Sequence, residues 1–213
     1  MNLMLFVSNR CNMSCDYCFL DLNNGAAEVL GLDAAFQACP DHFRRHKEGE
    51  AAQFTFLGGE PLIHFSVVKG IVEHIRAAAY KRTVINVVTN ATLACPEKIK
   101  ELQALGAEFT VSLDGRASSH DRHRRLVGKA DSSLEAGLAA LEGCDKNKIK
   151  VNMVVCEDTV GSLLRNIEFL RGRGFRRLSF HLNILENWTQ PGLDALRAVL
   201  EGLHKYARAL SAA

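Results

Sequence analysis

Six short runs rich in apolar and β-branched residues alternate with stretches of helical periodicity, and this alternation limits the fold more than any other feature of the chain. The runs cover residues 2–7, 53–57, 83–89, 108–113, 149–155 and 177–182. The helical stretches cover 33–46, 65–80, 96–105, 132–141, 162–171 and 192–210. Asp33 suits a helix cap and Pro96 a first helical turn, while Gly106 and Gly172 fall where helices should stop. Strand–helix alternation of this kind implies a parallel sheet with right-handed crossovers. The runs are nearly continuous in apolar residues, so both sheet faces are expected to be covered. A closed eight-unit barrel needs about 250 residues, and this chain has 213. The expected fold is α/β, a partial (βα)6 barrel with parallel strands, formed as a single domain over residues 1–213. A doubly wound open sheet is the alternative.

In such architectures the site lies at the C-terminal ends of the strands. CNMSCDYC follows the first run and Gly58-Gly59-Glu60-Pro61 the second. Thr89-Asn90 closes the third, Ser112 and Asp114 the fourth, Cys156 the fifth, and His181 and Asn183 the sixth. Polar or metal-binding groups thus converge on one edge, which a purely structural sheet does not require.

The three cysteines Cys11, Cys15 and Cys18 lie too close together for a disulfide framework but are well spaced to hold a metal or cluster, because thiolates suit soft zinc and iron–sulfur sites. Zinc usually takes four protein ligands, often from two CxxC-like halves. The second half is missing here, though Cys39 could serve as a distant fourth ligand. Cys39, Cys95 and Cys144 otherwise read as structural.

Composition excludes more than it proposes. Lys and Arg number 26 against 24 Asp and Glu, a net charge of +2, so no global field draws nucleic acid or an anionic membrane. No apolar stretch reaches the length of a membrane span, and no secretory signal precedes Arg10 and Cys11. Seven cysteines without a regular framework suit a reducing, cytoplasmic location.

The CxxxCxxC spacing, with aromatic Tyr17 before the last cysteine, resembles the cluster motif of the radical S-adenosylmethionine (SAM) enzymes. Their fold is a partial (βα)6 barrel with this motif after the first strand. The resemblance implies that Cys11, Cys15 and Cys18 ligate a [4Fe–4S] cluster whose fourth iron chelates the amino and carboxylate groups of SAM. Reduction would then break SAM to a 5′-deoxyadenosyl radical that takes a hydrogen atom from a substrate. Gly58-Gly59-Glu60-Pro61 resembles the family's GGEP element, in which backbone and Glu60 engage the SAM ammonium. Ser112 and one arginine of the 122–125 stretch, with Arg124 favoured, resemble the carboxylate-binding pair. Asn90 resembles the Asn of a TNG-like element, although Ala91 stands where that element has glycine.

Thr110, Ser112 and Asp114 share one strand face, which suggests a lined cavity. Asp114 and Asn152 could help to seat the nucleoside, and a neighbouring strand could equally satisfy Asn152. Cys156 could donate a hydrogen atom to a substrate radical or could simply fill the core. His181 and Asn183 are candidates for substrate contact.

The pattern is nearest to the sulfatase-maturing and peptide-modifying branch, whose members often carry a C-terminal domain with auxiliary clusters. No such domain is expected within residues 1–213, which implies a minimal enzyme, a separate substrate-recognition chain or a removed segment. The implied partners are a peptide substrate, or alternatively a small molecule such as an amino acid or nucleoside, and an electron donor such as a flavodoxin or ferredoxin. A non-catalytic iron–sulfur or zinc module is the rival from outside catalysis.

Overall fold

The computed structural model describes residues 2–20, 26, 28–47, 50–78 and 82–211. Its elements, in chain order, are β1 (Asn2–Phe6), β2 (Met13–Cys15), α1 (Leu32–Arg44), β3 (Ala52–Leu57), α2 (Phe65–Ala77), β4 (Thr83–Thr89), α3 (Pro96–Ala104) and β5 (Ala107–Ser112). These are followed by α4 (Ala117–His123), β6 (Arg124–Leu126), α5 (Ser133–Ala140), β7 (Ile149–Val155), α6 (Leu163–Gly172), β8 (Arg177–Leu182) and α7 (Gln190–Ser211). The six expected runs form one parallel sheet in the order β1-β3-β4-β5-β7-β8. Sequential strands are neighbours and β1 does not pair with β8, so the sheet curls into an open partial barrel of the expected kind.

The two sheet faces are not equally covered, contrary to the expectation from apolar content. Burial alternates along β3, β5 and β7 with the two-residue period of the pleat. Phe54, Phe56, Ile85, Val87, Phe109, Val111 and Met153 are buried on the outer face, where α2 and α3 pack Val68, Ile71, Ile75, Ile99 and Leu102 against them. Each such side chain contributes about 1.5–3 kcal/mol by leaving water. The inner face carries Thr55, Asn86, Thr110, Lys150, Asn152 and Ser179, and it stays open because the barrel does not close.

Helix ends depart from the sequence reading in local ways. Gly31, not Asp33, occupies the N-cap of α1, and Asp33 lies within the first turn. Pro96 opens α3 and Ser132 caps α5 through its side chain, which accepts from the Glu135 N–H. Gly106 takes the left-handed turn after α3, whereas after α6 Gly174 takes it and Gly172 remains helical. The expected end of the second helix at Tyr80 lies outside the described residues. Among the described residues, no helix is long and apolar enough to cross a membrane.

Three of these elements were not expected. The arginine-containing segment 120–125 begins inside a short helix, α4, and leads into β6, which pairs antiparallel with β2 of the cysteine loop. Met13, Ser14 and Cys15 lie opposite Leu126, Arg125 and Arg124. The ribbon therefore fixes the cysteine loop and the arginine stretch to each other.

Candidate active site at the open end of the barrel

A cavity of about 250 Å³ opens at the C-terminal ends of the strands, lined by Cys11, Cys15, Cys18, Tyr17, Gly58, Gly59, Asn90, Ser112, Arg124 and Asn152, among others. These residues come from six loops or strands and were all expected at the site. The three cysteines form no disulfide and are half-buried. Burial raises the Cys11 thiol to about 11 and also raises Cys15, although Arg124 beside Cys15 works in the opposite direction. Such thiols hold their protons until a metal displaces them.

The two glycines serve a purpose different from plain access for a ligand. Gly58 sits at φ +142, and a Cβ there would stand 2.5 Å from the Ser8 carbonyl oxygen. A Cβ on Gly59 would stand 2.2 Å from the Arg10 carbonyl oxygen. The Gly59 N–H donates to Ser8 O and the Glu60 N–H to Arg10 O, both at 2.8 Å. Bare backbone here lets the cysteine loop lie directly on the β3 turn, while both glycines still face the cavity.

Glu60 is 1% exposed and lies behind the cavity wall rather than in it. Its Oε1 accepts from the Leu62 N–H and the Thr89 hydroxyl at 2.9 and 2.7 Å. Its Oε2 accepts from the Asn90 N–H at 2.7 Å. Burial raises its pKa against these hydrogen bonds. The carboxylate thus locks the end of β4 to the turn after β3. Asn90 is held in turn, its Nδ2 donating to Asn12 Oδ1 at 3.0 Å and its Oδ1 accepting from the Thr92 N–H at 2.9 Å. Ala91 adopts φ +63, the left-handed conformation that glycine would take more easily, and it is fully buried.

Asp114 is likewise held by the protein, not left free for a nucleoside. It is 4% exposed and accepts from Arg124 Nε at 2.8 Å, Arg124 Nη2 at 3.2 Å and the Val154 N–H at 2.8 Å. The Tyr17 hydroxyl also donates to it. Arg124 itself is 7% exposed, lies 5.0 Å from the Tyr17 ring centroid and lines the cavity. Burial opposes its charge, but the adjacent Asp114 outweighs this and holds the guanidinium above its ordinary value. Of the competing arginines, Arg122 pairs with Asp158 and Arg125 with Asp16, both at the surface, so only Arg124 of the three faces the cavity.

Asn152 finds the neighbouring-strand partner considered for it, accepting from the Ser179 hydroxyl at 3.0 Å, and it also lines the cavity. Ser112 lies beside it in register. Cys156, expected at the barrel mouth as a hydrogen donor, is 2% exposed and absent from the cavity lining, and burial raises its thiol to about 12. Asn183 braces its own loop, accepting from the Leu185 N–H at 3.1 Å, while His181 is exposed. Cys39 is buried on the core-facing side of α1 and does not line the cavity, which removes the proposed distant zinc ligand. Sequence reasoning missed Asp16 and His123, which join the cysteine loop to α4.

Three thiols, with no fourth Cys, His, Asp or Glu among the described residues that line the cavity, open beside an arginine and small polar groups and fit a cluster with one open iron and a zwitterionic ligand beside it. Comparisons agree with this donor chemistry. Residues 5–161 match the model of the radical SAM superfamily. An uncharacterized protein of Methanocaldococcus jannaschii is 27% identical, the match covering 96% of this chain and 72% of that protein. The radical SAM cyclopropyl synthase TigE of Paramaledivibacter caminithermalis is 24% identical over 74% of this chain and 36% of its own length. The GTP 3′,8-cyclase of Geobacter sulfurreducens is 30% identical over 72% of this chain and 46% of its own. Native anSMEcpe with bound AdoMet and a peptide shares the fold with a TM-score of 0.75 and 20% identity, covering 89% of this chain and 52% of that one. The chain therefore spans about half or less of several proteins that it matches. It belongs to the radical SAM superfamily, whose cofactors are a [4Fe–4S] cluster and SAM.

Proposed function

We propose that this chain is the catalytic core of a radical SAM enzyme that modifies a peptide. The observation that carries this reading is the inner face of the barrel, where hydroxyls and amides recur on successive strands beside the charged Lys150, Glu108 and Arg177. Thr55 donates to Asn2 at 3.2 Å, Thr110 to Asn86 at 3.0 Å and Ser179 to Asn152 at 3.0 Å. Such a surface suits a chain of peptide amides, which both donate and accept hydrogen bonds. A relative named as a maturation protein for a sporulation killing factor is consistent with a macromolecular substrate. An amino acid or nucleoside is the second reading, favoured by the relative named as a GTP cyclase.

Cys11, Cys15 and Cys18 hold the cluster in this proposal. The backbone at Gly58 and Gly59 meets the methionine ammonium of SAM, and Ser112 and Arg124 meet its carboxylate. Asn90 and Asn152 contact the nucleoside, while Tyr17 and Asp114 orient Arg124 and Glu60 braces the wall. When bound, cluster and SAM supply one-electron cleavage of the sulfonium and hydrogen-atom abstraction from substrate. The protein's own work is to orient the methionine end, keep the thiols ordered and present the substrate along the inner face. The electron comes from an external donor of the flavodoxin or ferredoxin kind.

Anaerobic reconstitution followed by reduction with SAM tests the reading. The expected products are 5′-deoxyadenosine from wild type and none from Cys15→Ala. Deuterium appearing in that product from labelled peptides, and not from labelled amino acids or nucleosides, would establish the substrate class. A cluster whose spectrum ignores SAM would reduce the chain to an electron-transfer module.

A further inference from the structure

His123, Cys156 and Asp158 come from the end of α4, the end of β7 and the 3-10 turn after it. One ligand atom from each lies within 4.8 Å of the other two. None of the three lines the cavity described above. We propose that they form a second metal site, distinct from the cysteine loop, which takes a zinc ion.

The donor set is one imidazole nitrogen, one thiolate and one carboxylate oxygen, each an ordinary zinc ligand. His123 Nε2 lies 3.0 Å from Asp158 Oδ1. Tetrahedral zinc needs its ligand atoms about 3.3–3.6 Å apart, so the histidine and aspartate separate slightly and the sulfur moves inward. The surroundings match what such ligands require. His123 Nδ1 lies 3.2 Å from the Asp16 carboxylate, which holds the proton on that nitrogen and leaves Nε2 as the ligand atom. Asp158 keeps its second oxygen for Arg122, and Asn183 Nδ2 approaches the Cys156 sulfur at 3.7 Å. Each ligand is therefore oriented from behind by another polar group.

Zinc binding displaces the thiol proton of Cys156 to solvent as the metal–sulfur bond forms, with no change of oxidation state. Cys156 then has a chemical use that its place outside the cavity denies it as a hydrogen donor. The site also reaches the cofactor region, because Asp16 stands between Cys15 and Cys18. A metal here would tie the cysteine loop, α4 and β7 together. The proposal does not depend on the peptide reading.

The experiment uses the cluster-loaded protein, equilibrated anaerobically with zinc chloride and then desalted. The expected result is about one zinc per chain, with absorption fine structure showing one sulfur at about 2.3 Å and nitrogen or oxygen neighbours. Cys156→Ser should lose the sulfur neighbour and His123→Gln should lower retained zinc at least about tenfold, both with iron content preserved. A Cys39→Ser control should behave as wild type. Wild type retaining no zinc overturns the proposal, as does a zinc with three sulfur neighbours, which would place the metal in the cysteine loop. The wild-type spectrum decides the matter even where a variant fails to fold.

Discussion

At the scale of single residues, the buried polar groups behind the cavity determine how the site is held. Glu60 accepts from Leu62, Thr89 and Asn90 while almost wholly buried. Glu60→Gln turns an amide NH2 toward at least one of these donors, leaving both unpaired. Chemical denaturation should show a loss of about 1–3 kcal/mol. His120 carries a pH effect of the same origin. Its Nδ1 accepts from the Asp114 N–H at 3.1 Å, so the proton sits on Nε2, which is buried without a partner. Burial lowers its pKa from 6.5 to about 4. Between those values the unfolded chain binds a proton that the folded chain refuses. Stability should therefore fall as pH drops from about 6.5 to 4 and level off below, by about 3 kcal/mol in all from this group. Urea midpoints at pH 7 and 4.5 should converge in His120→Asn relative to wild type, and an unchanged gap would contradict the assignment.

At the scale of elements, the β2–β6 ribbon and the Arg124–Asp114 pair unite the cysteine loop with the end of β5. Arg124→Ala would leave Asp114 buried without its cation, a change that costs about 3–5 kcal/mol. The variant should thus lose folding stability as well as SAM affinity, and its thermal unfolding should show it before any activity is measured. Arg124→Lys should recover only part, since a single ammonium cannot reproduce the two-nitrogen fork. These same elements mark the limit of what could be read from sequence. The six sheet strands are seven residues or fewer, yet β-branched content and alternation with helices made each legible. The ribbon has three residues per strand, is rich in Cys, Ser and Arg, and pairs segments over 100 residues apart, so no local pattern announces it. The cysteines, Gly58, Gly59, Ser112 and Arg124 were legible because motif spacing carries them. The fates of Glu60 and Asp114 were not, because residue type shows that a carboxylate is present but not which donors reach it first.

At the scale of the whole molecule, one curled sheet separates an apolar outer layer from a polar inner face, and neighbouring residues on a strand belong to different environments. Phe109 and Thr110 are consecutive on β5. Phe109 is fully buried against the helices, while Thr110 is half-buried on the inner face and donates to Asn86 across the strand pair. Phe109→Ala removes a packed ring and leaves a cavity, which costs about 3–5 kcal/mol. Thr110→Val keeps the shape and loses one partly solvated hydrogen bond, worth at most about 1.5 kcal/mol. The ion pair between Arg177 and Glu108 on the same inner face is nearly half exposed at both ends. Its coupling should stay below about 1 kcal/mol and fade with salt. If the inner face exists to receive substrate, its residues should behave in the opposite sense in function. Thr110→Val should leave substrate-free cleavage of SAM intact while lowering deuterium transfer from substrate at least severalfold. A Thr110→Val variant that unfolds as readily as Phe109→Ala would mean that the barrel is packed on both sides, leaving no room for a substrate beside the cofactor.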